Sequence, residues 1–278
     1  MQTIGVIGLG MIGGGVATCL ARHNSLTAVY DIRAEAAAKI PGGPSCAASP
    51  AALAADCAIV FVAVISAKQV EDLLLGDNGI LSVATPPKTL ILLSTVSLDE
   101  FKKLSALVSE RGINLIDCGV TGGPDAAATG DLVCLVGAQQ GDFDALSEVF
   151  QLMSKSAFRM GGPGAGMAAK IARNIIVYTS WMAGQEAARL ASAAGVDPLV
   201  LAEVVDSSAE NVGGPTTWLR RTPVAESEQE LALRTGVLGL LQKDLGAALD
   251  LAKALQVLLP GAEVALTQGA ATLGIDDQ

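Results

Sequence analysis

Through its first 160 residues the chain alternates between short, continuously apolar runs and longer stretches with helical spacing. The apolar runs fall at 3–7, 26–30, 59–65, 89–93, 114–117 and 132–136, and they predict strands buried on both faces. The helical stretches fall at 13–23, 34–40, 50–55, 68–75, 98–110 and 143–153. Pro50 suits the first turn of its helix, and Pro41-Gly42-Gly43-Pro44 reads as a loop. Fully apolar strands separated by helices imply βαβ units. Right-handed crossovers wind these into a doubly wound parallel sheet covered on both sides.

The pattern changes after Met160. Gly161-Gly162-Pro163-Gly164-Ala165-Gly166 is a glycine-rich break, and a long helical stretch follows over 167–194, with Gly195 placed to cap it. Helices are expected at 199–207, 228–254 and 263–273, with no strand among them. The expected fold class is therefore α/β, with an all-α C-terminal domain joined by a long interdomain helix. The expected divisions are a cofactor domain at 1–162, the interdomain helix at 163–194 and a helical substrate and dimerisation domain at 195–278.

Composition narrows the functional classes. The chain has 278 residues, 51% of them hydrophobic, enough for a sizeable core. Its net charge of −10 carries no basic patch beyond Arg220 and Arg221, so neither nucleic acid nor an anionic membrane is an expected partner. No apolar stretch reaches the roughly 20 residues that span a bilayer. The five cysteines form no CxxC pair, and His23 is the only histidine, so no zinc site is expected. Cys19, Cys57, Cys118 and Cys134 sit in apolar runs and read as buried free thiols of a cytoplasmic protein.

Four segments carry candidate chemistry. Gly8-Leu9-Gly10-Met11-Ile12-Gly13 follows the first strand and opens a helix, the context in which such a loop binds a dinucleotide pyrophosphate. Asp31 ends the second strand, where a carboxylate accepts from the ribose hydroxyls and repels a 2′-phosphate; that favours NAD, while nearby Arg33 leaves NADP open. Lys170 and Asn174 stand four apart on one helical face behind the glycine-rich break. A partly desolvated lysine near a helix N-terminus has its pKa lowered towards the range useful for general acid/base work. Asp117-Cys118-Gly119-Val120-Thr121-Gly122-Gly123-Pro124 follows a strand, and its consecutive amides and Thr hydroxyl suit a carboxylate. Lys243-Asp244-Leu245, inside a helical stretch, reads as solvated surface when taken alone.

In this order the segments resemble the β-hydroxyacid dehydrogenase family, whose members include 3-hydroxyisobutyrate dehydrogenase, tartronate semialdehyde reductase and 6-phosphogluconate dehydrogenase. Ser94-Thr95-Val96 is similar to the family's segment near the nicotinamide, and Val120-Thr121-Gly122-Gly123 to its substrate loop. The stretch from Gly161 to Asn174 resembles its catalytic signature, and Lys243-Asp244-Leu245 its C-terminal motif. The resemblance implies a Rossmann domain and hydride transfer between NAD and a small β-hydroxy acid such as 3-hydroxyisobutyrate, glycerate or serine. It also implies a helical domain that builds a dimer, and the Leu- and Ala-rich helices there carry more apolar faces than one small domain needs, so a homodimer or homotetramer is expected. Lys170 would be the general acid/base, and Asn174 would orient the substrate or Lys170. Thr121, Gly122 and Gly123 would hold the substrate carboxylate. Gly8, Leu9, Gly10, Met11, Ile12, Gly13, Asp31, Arg33, Val64 and Thr95 would bind the cofactor, with Lys243 reaching cofactor or substrate. Trp218, Arg220, Arg221 and the loop 211–215 are candidates for the side-chain pocket. The chain departs from the family at Gly119, where Pro is usual, at Thr121, where Ser is usual, and at Val64-Ile65, where many members have Leu-Pro. Gly14 and Gly15 extend the glycine run into the first helix at a cost in helix propensity. The rivals are an imine reductase on the same scaffold, which usually carries Asp or Tyr at the Lys170 position, and a non-catalytic dinucleotide sensor. Gly166 stands four residues before Lys170, where a short-chain dehydrogenase would carry Tyr.

Overall fold

A computed structural model describes residues 2–212 and 224–275. The chain forms two compact units, Met1–Arg173 and Asn174–Gln278.

The first unit is built on one eight-stranded sheet. Its strands are β1 (Ile4–Ile7), β2 (Leu26–Tyr30), β3 (Ser45–Cys46), β4 (Ile59–Val62), β5 (Thr89–Leu92), β6 (Asn114–Thr121), β7 (Leu132–Gly137) and β8 (Ser154–Gly161), in the order β3-β2-β1-β4-β5-β6-β7-β8. Side chains alternate between two core layers. Ile59 and Phe61 of β4 enter one, and Val60 and Val62 enter the other. The expected doubly wound α/β sheet is present, with one correction: β7 runs antiparallel to β6. Only the short helix α5 (Gly123–Thr129) and a turn at Gly130 join those strands, and a parallel crossover needs a dozen or more residues. Two strands lack a continuous apolar run. β3 has two residues, both exposed, and β8 is an edge strand interrupted by Lys155 and Arg159.

The stretch at 34–40 is a 3-10 helix over Ala34–Lys39, and 143–153 forms two short helices, Gln140–Ala145 and Ser147–Gln151. Ahead of α5 lie α1 (Met11–Arg22), α2 (Pro50–Asp56), α3 (Ala67–Leu75) and α4 (Leu98–Ser109), and α1 packs on α5. A Cβ on Gly15 would lie 2.6 Å from the backbone of Ala127, so this glycine sets how closely the two helices approach. Its cost in helix propensity is offset by that packing. Cys19, Cys57, Cys118 and Cys134 are buried free thiols as expected, and Cys46 is exposed. Burial pushes the Cys57 thiol up to about 11, which keeps it an inert core residue.

The second unit is helical throughout its described residues. It holds the later part of α6 (Ala165–Ala193) with α7 (Pro198–Val212), α8 (Glu228–Ala254), α9 (Pro260–Thr267) and α10 (Gly269–Thr272). The expected helix at 263–273 is thus two helices. Gly195, at φ 81°, ends α6 as expected. Buried Glu186 accepts from the first amides of α9, Gly261 N at 2.7 Å and Ala262 N at 3.1 Å. Buried Arg234 pairs with Glu230 at 2.6 Å and donates to the Leu273 carbonyl at 3.0 Å. None of the described helices is long and apolar enough to cross a membrane.

Candidate active site

The cofactor loop lies at the carboxyl end of β1. Gly8 has φ 87°, and a Cβ there would lie 2.4 Å from the Ala63 carbonyl oxygen. A Cβ on Gly13 would lie 1.9 Å from the Gly8 carbonyl oxygen, so the start of α1 presses on the strand. Gly10 faces open space, and no side chain caps the amides of the first turn of α1. An uncapped helix N-terminus above a side-chain-free approach fits a pyrophosphate. Gly8, Leu9 and Gly13 are buried supports, whereas Gly10 and Met11 are exposed.

Asp31 is tied to this loop. Its Oδ2 accepts from the Leu9 amide at 2.7 Å, and its Oδ1 accepts from the Arg33 amide at 2.9 Å and from Arg33 Nε at 3.1 Å. Burial pushes the carboxyl up, but the bonds from Arg33 and Leu9 outweigh it and hold Asp31 below the usual carboxylate range. Arg33 itself remains exposed. Val64, beyond β4, donates its amide to the buried Ser94 hydroxyl at 2.9 Å, which links the loop after β4 to the Ser94-Thr95-Val96 segment after β5. Thr95 is exposed between two buried neighbours.

The third group gathers where β6 meets the first turns of α6. Asp117, Gly119 and Thr121 share one face of β6, because strand side chains alternate. Asp117 is fully buried, and its two oxygens accept from Gly164 N and Met167 N, each at 2.7 Å. Burial raises its carboxyl above the usual value, and the amides offset part of that rise. A Cβ on Gly119 would lie 2.6 Å from the Lys170 Cβ, so the missing side chain is the seat of the lysine. Lys170 is half-buried there, and its pKa is lowered by desolvation and then by the Arg173 charge. At the end of β6, Gly122 (φ 123°) and Gly123 (φ 76°) adopt conformations that favour glycine, and a Cβ on Gly123 would meet open space.

The first unit therefore seats Lys170 of α6 on the strand that runs into the Thr121-Gly122-Gly123 loop. Asn174 lies one turn beyond Lys170 on α6 and belongs to the second unit. Lys243 lies on α8 in the second unit, exposed and 3.2 Å from Asp244. Trp218, Arg220, Arg221 and residues 213–215 lie outside the described residues. Asp117 and Ser94 stand in candidate segments of the sequence but without roles of their own; the available signal was a polar residue within or just beyond an apolar strand. Ile32 and Ile65, the latter named above only as a departure from the family, are 84% and 90% exposed just beyond the carboxyl ends of β2 and β4.

Comparison with known proteins decides the family. The model for the NAD-binding domain of 6-phosphogluconate dehydrogenase matches residues 3–162. The model described as NAD-binding of NADP-dependent 3-hydroxyisobutyrate dehydrogenase matches residues 164–274. The chain belongs to the β-hydroxyacid dehydrogenase family. It is an NAD(P)-dependent oxidoreductase. An uncharacterised oxidoreductase of Mycobacterium tuberculosis is 34% identical, over 98% of this chain and 93% of its own length. The L-threonate dehydrogenase of Cupriavidus necator is 31% identical, over 93% of this chain and 86% of its own. A solved structure of a Mycobacterium avium protein assigned to the oxidoreductases is 33% identical, with a TM-score of 0.86 over 99% of each chain.

Proposed function

We propose that this β-hydroxyacid dehydrogenase oxidises a small β-hydroxy acid, or reduces the matching carbonyl acid, with Lys170 as general acid/base and NAD as the preferred cofactor. The observation that carries the reading is the lysine seated half-buried on Gly119, on the strand that ends in the Thr121-Gly122-Gly123 loop. When bound, the nicotinamide accepts or supplies the hydride. The open approach over Gly10 and the uncapped start of α1 fit its pyrophosphate, and Asp31 is the acceptor for the ribose hydroxyls. Val64 and Thr95, with the exposed apolar surfaces of Met11, Ile32 and Ile65, are available to line its rings.

The Thr121 hydroxyl and the amides of Gly122 and Gly123 hold the substrate carboxylate, which fixes the carbon presented for hydride transfer. In oxidation, neutral Lys170 takes the hydroxyl proton at its Nζ; in reduction, the ammonium returns it to the carbonyl oxygen. Desolvation on Gly119 favours the neutral lysine. The kcat/KM for oxidation should therefore rise with pH along a limb lying below the ordinary lysine value. For reduction the same limb should fall. Asn174 orients the substrate or Lys170, and Lys243 reaches cofactor or substrate. The proposed layout is a cofactor domain at 1–162, a connecting helix at 163–194 and a helical domain at 195–278, in a cytoplasmic homodimer or homotetramer.

Lys170→Ala should lose about 100-fold or more in kcat, the worth of a positioned acid/base group, while its NADH affinity stays at the wild-type level. Loss of NADH binding by a folded variant would instead assign Lys170 to the architecture of the site. Turnover of a ketone with an amine, and none of any hydroxy acid, would favour an imine reductase. NADH binding with no turnover at all would favour a sensor.

A further inference from the structure

We infer that Asp117 is the positioning residue for Lys170: by holding the amides at the head of α6, its carboxylate sets the height and rotation at which the lysine sits over Gly119. The inference rests on Lys170 being the group that handles the proton, and it concerns a residue that contacts neither substrate nor cofactor.

Three observations carry it. First, the two Asp117 oxygens are divided between Gly164 N in the entry turn and Met167 N in the first turn of α6, each at 2.7 Å. One carboxylate thereby clamps the turn and the helix together. Second, the surrounding glycines leave that clamp room. A Cβ on Gly137 would lie 2.2 Å from Asp117 Oδ1, and one on Gly166 would lie 2.4 Å from the Leu135 carbonyl oxygen and 2.9 Å from that of Asp117. The helix head is pressed on β6 and β7 at a distance that only hydrogen atoms tolerate.

Third, the helix and the strand advance together. Four residues of α6, from Gly166 to Lys170, rise about 6 Å. Two residues of β6, from Asp117 to Gly119, advance about 6.6 Å. Gly166 abuts Asp117 and Lys170 abuts Gly119, so the clamp at the first pair fixes the contact at the second. A shift of the helix head would carry Lys170 off its seat and into water. The carboxylate lies fully buried, where a charge is costly to keep, so a purely apolar contact would have held the helix more cheaply. A charged acceptor instead gives the amides directional, charge-assisted bonds.

Asp117→Asn keeps the shape but offers only one oxygen, so either Gly164 or Met167 loses its acceptor. The experiment compares wild type, Asp117→Asn, Asp117→Ser and Lys170→Ala as full-length proteins, with β-hydroxy acid oxidation followed across pH and NADH binding followed by fluorescence. For a folded Asp117 variant we expect kcat to fall by about 100-fold, the cost of roughly 1 Å of misplacement, with NADH affinity and substrate KM held within about twofold. We also expect the rising limb of kcat/KM to move to higher pH, as Lys170 regains water. The charged group that acts on Lys170 is Arg173 on α6, with Asp117 on the same face of β6; Cys118 and Cys134 face the opposite core layer. A folded Asp117 variant with the wild-type kcat and limb would overturn the inference. So would one whose activity falls only in step with NADH binding, with the limb unmoved. Should neither variant fold, amide exchange in the wild type decides. Gly164 and Met167 protected like the central strands support the clamp, and exchange at loop rates overturns it. If Lys170→Ala keeps its turnover, the failure lies with the lysine's role. If Lys170→Ala is inactive while Asp117→Asn is unchanged, it lies with the clamp.

Discussion

Arg33 folds onto Asp31 and neutralises the carboxylate that would repel a 2′-phosphate. Removing it should expose that repulsion. Arg33→Ala should raise the ratio of kcat/KM with NAD to that with NADP by about tenfold, and Asp31→Ser should lower it. An unchanged ratio in both variants would show that neither residue governs cofactor choice. The glycine loop, Asp31 and Lys170 were legible in the sequence because local order carries their signal: a strand, a turn and a helix in succession. Asp117 was not legible, because its partners Gly164 and Met167 lie 47 and 50 residues away and only the fold brings their amides to it. The Gly119 departure makes sense on the same ground, since what it faces is the Lys170 side chain.

Among elements, α1 gives the sharpest test of packing against propensity. In an open helix, Gly→Ala would stabilise by about 1 kcal/mol. At Gly15 the new methyl would lie 2.6 Å from the Ala127 backbone, which no rotamer change relieves. Gly15→Ala should therefore destabilise the protein by about 1–3 kcal/mol, read as a lower Tm, and a higher Tm would contradict this helix contact. The long apolar strands and long helices were legible because their periodicity runs over many residues. β3 and β8 were not, since a two-residue strand has no period and an edge strand need bury only part of its surface. The antiparallel turn of β7 was hidden because the strand expected at 114–117 runs on to Thr121, which shortens the linker below the dozen residues that a parallel crossover needs.

At the scale of the whole molecule, the second unit exposes more apolar surface than a small helical body needs. Ile175, Tyr178, Trp181 and Met182 are exposed on α6, Leu199, Val200, Val204 and Val205 on α7, and Leu233 and Leu240 on α8. An open, mainly apolar groove of about 480 Å³ runs past Met182, Leu190, Leu245 and Leu259. Such surface supports the proposed assembly. Light scattering should give two or four times the 28.1 kDa chain mass, and Trp181→Glu should lower it; a 28.1 kDa species at all concentrations would contradict the proposal. The helical character of this unit was legible in the sequence, whereas the partners of its apolar faces depend on contacts the local pattern does not encode.

The central claim is that Lys170 moves the proton while hydride passes between a β-hydroxy acid and NAD. Its most direct test is spectrophotometric NADH formation from 3-hydroxyisobutyrate, glycerate, serine, threonate and 3-hydroxypropionate, with wild type and Lys170→Ala side by side. The account predicts turnover of at least one acid by the wild type, on a pH limb below the ordinary lysine value. It predicts a loss of about 100-fold or more in the variant, with NADH still bound. Equal turnover by the two proteins would contradict it.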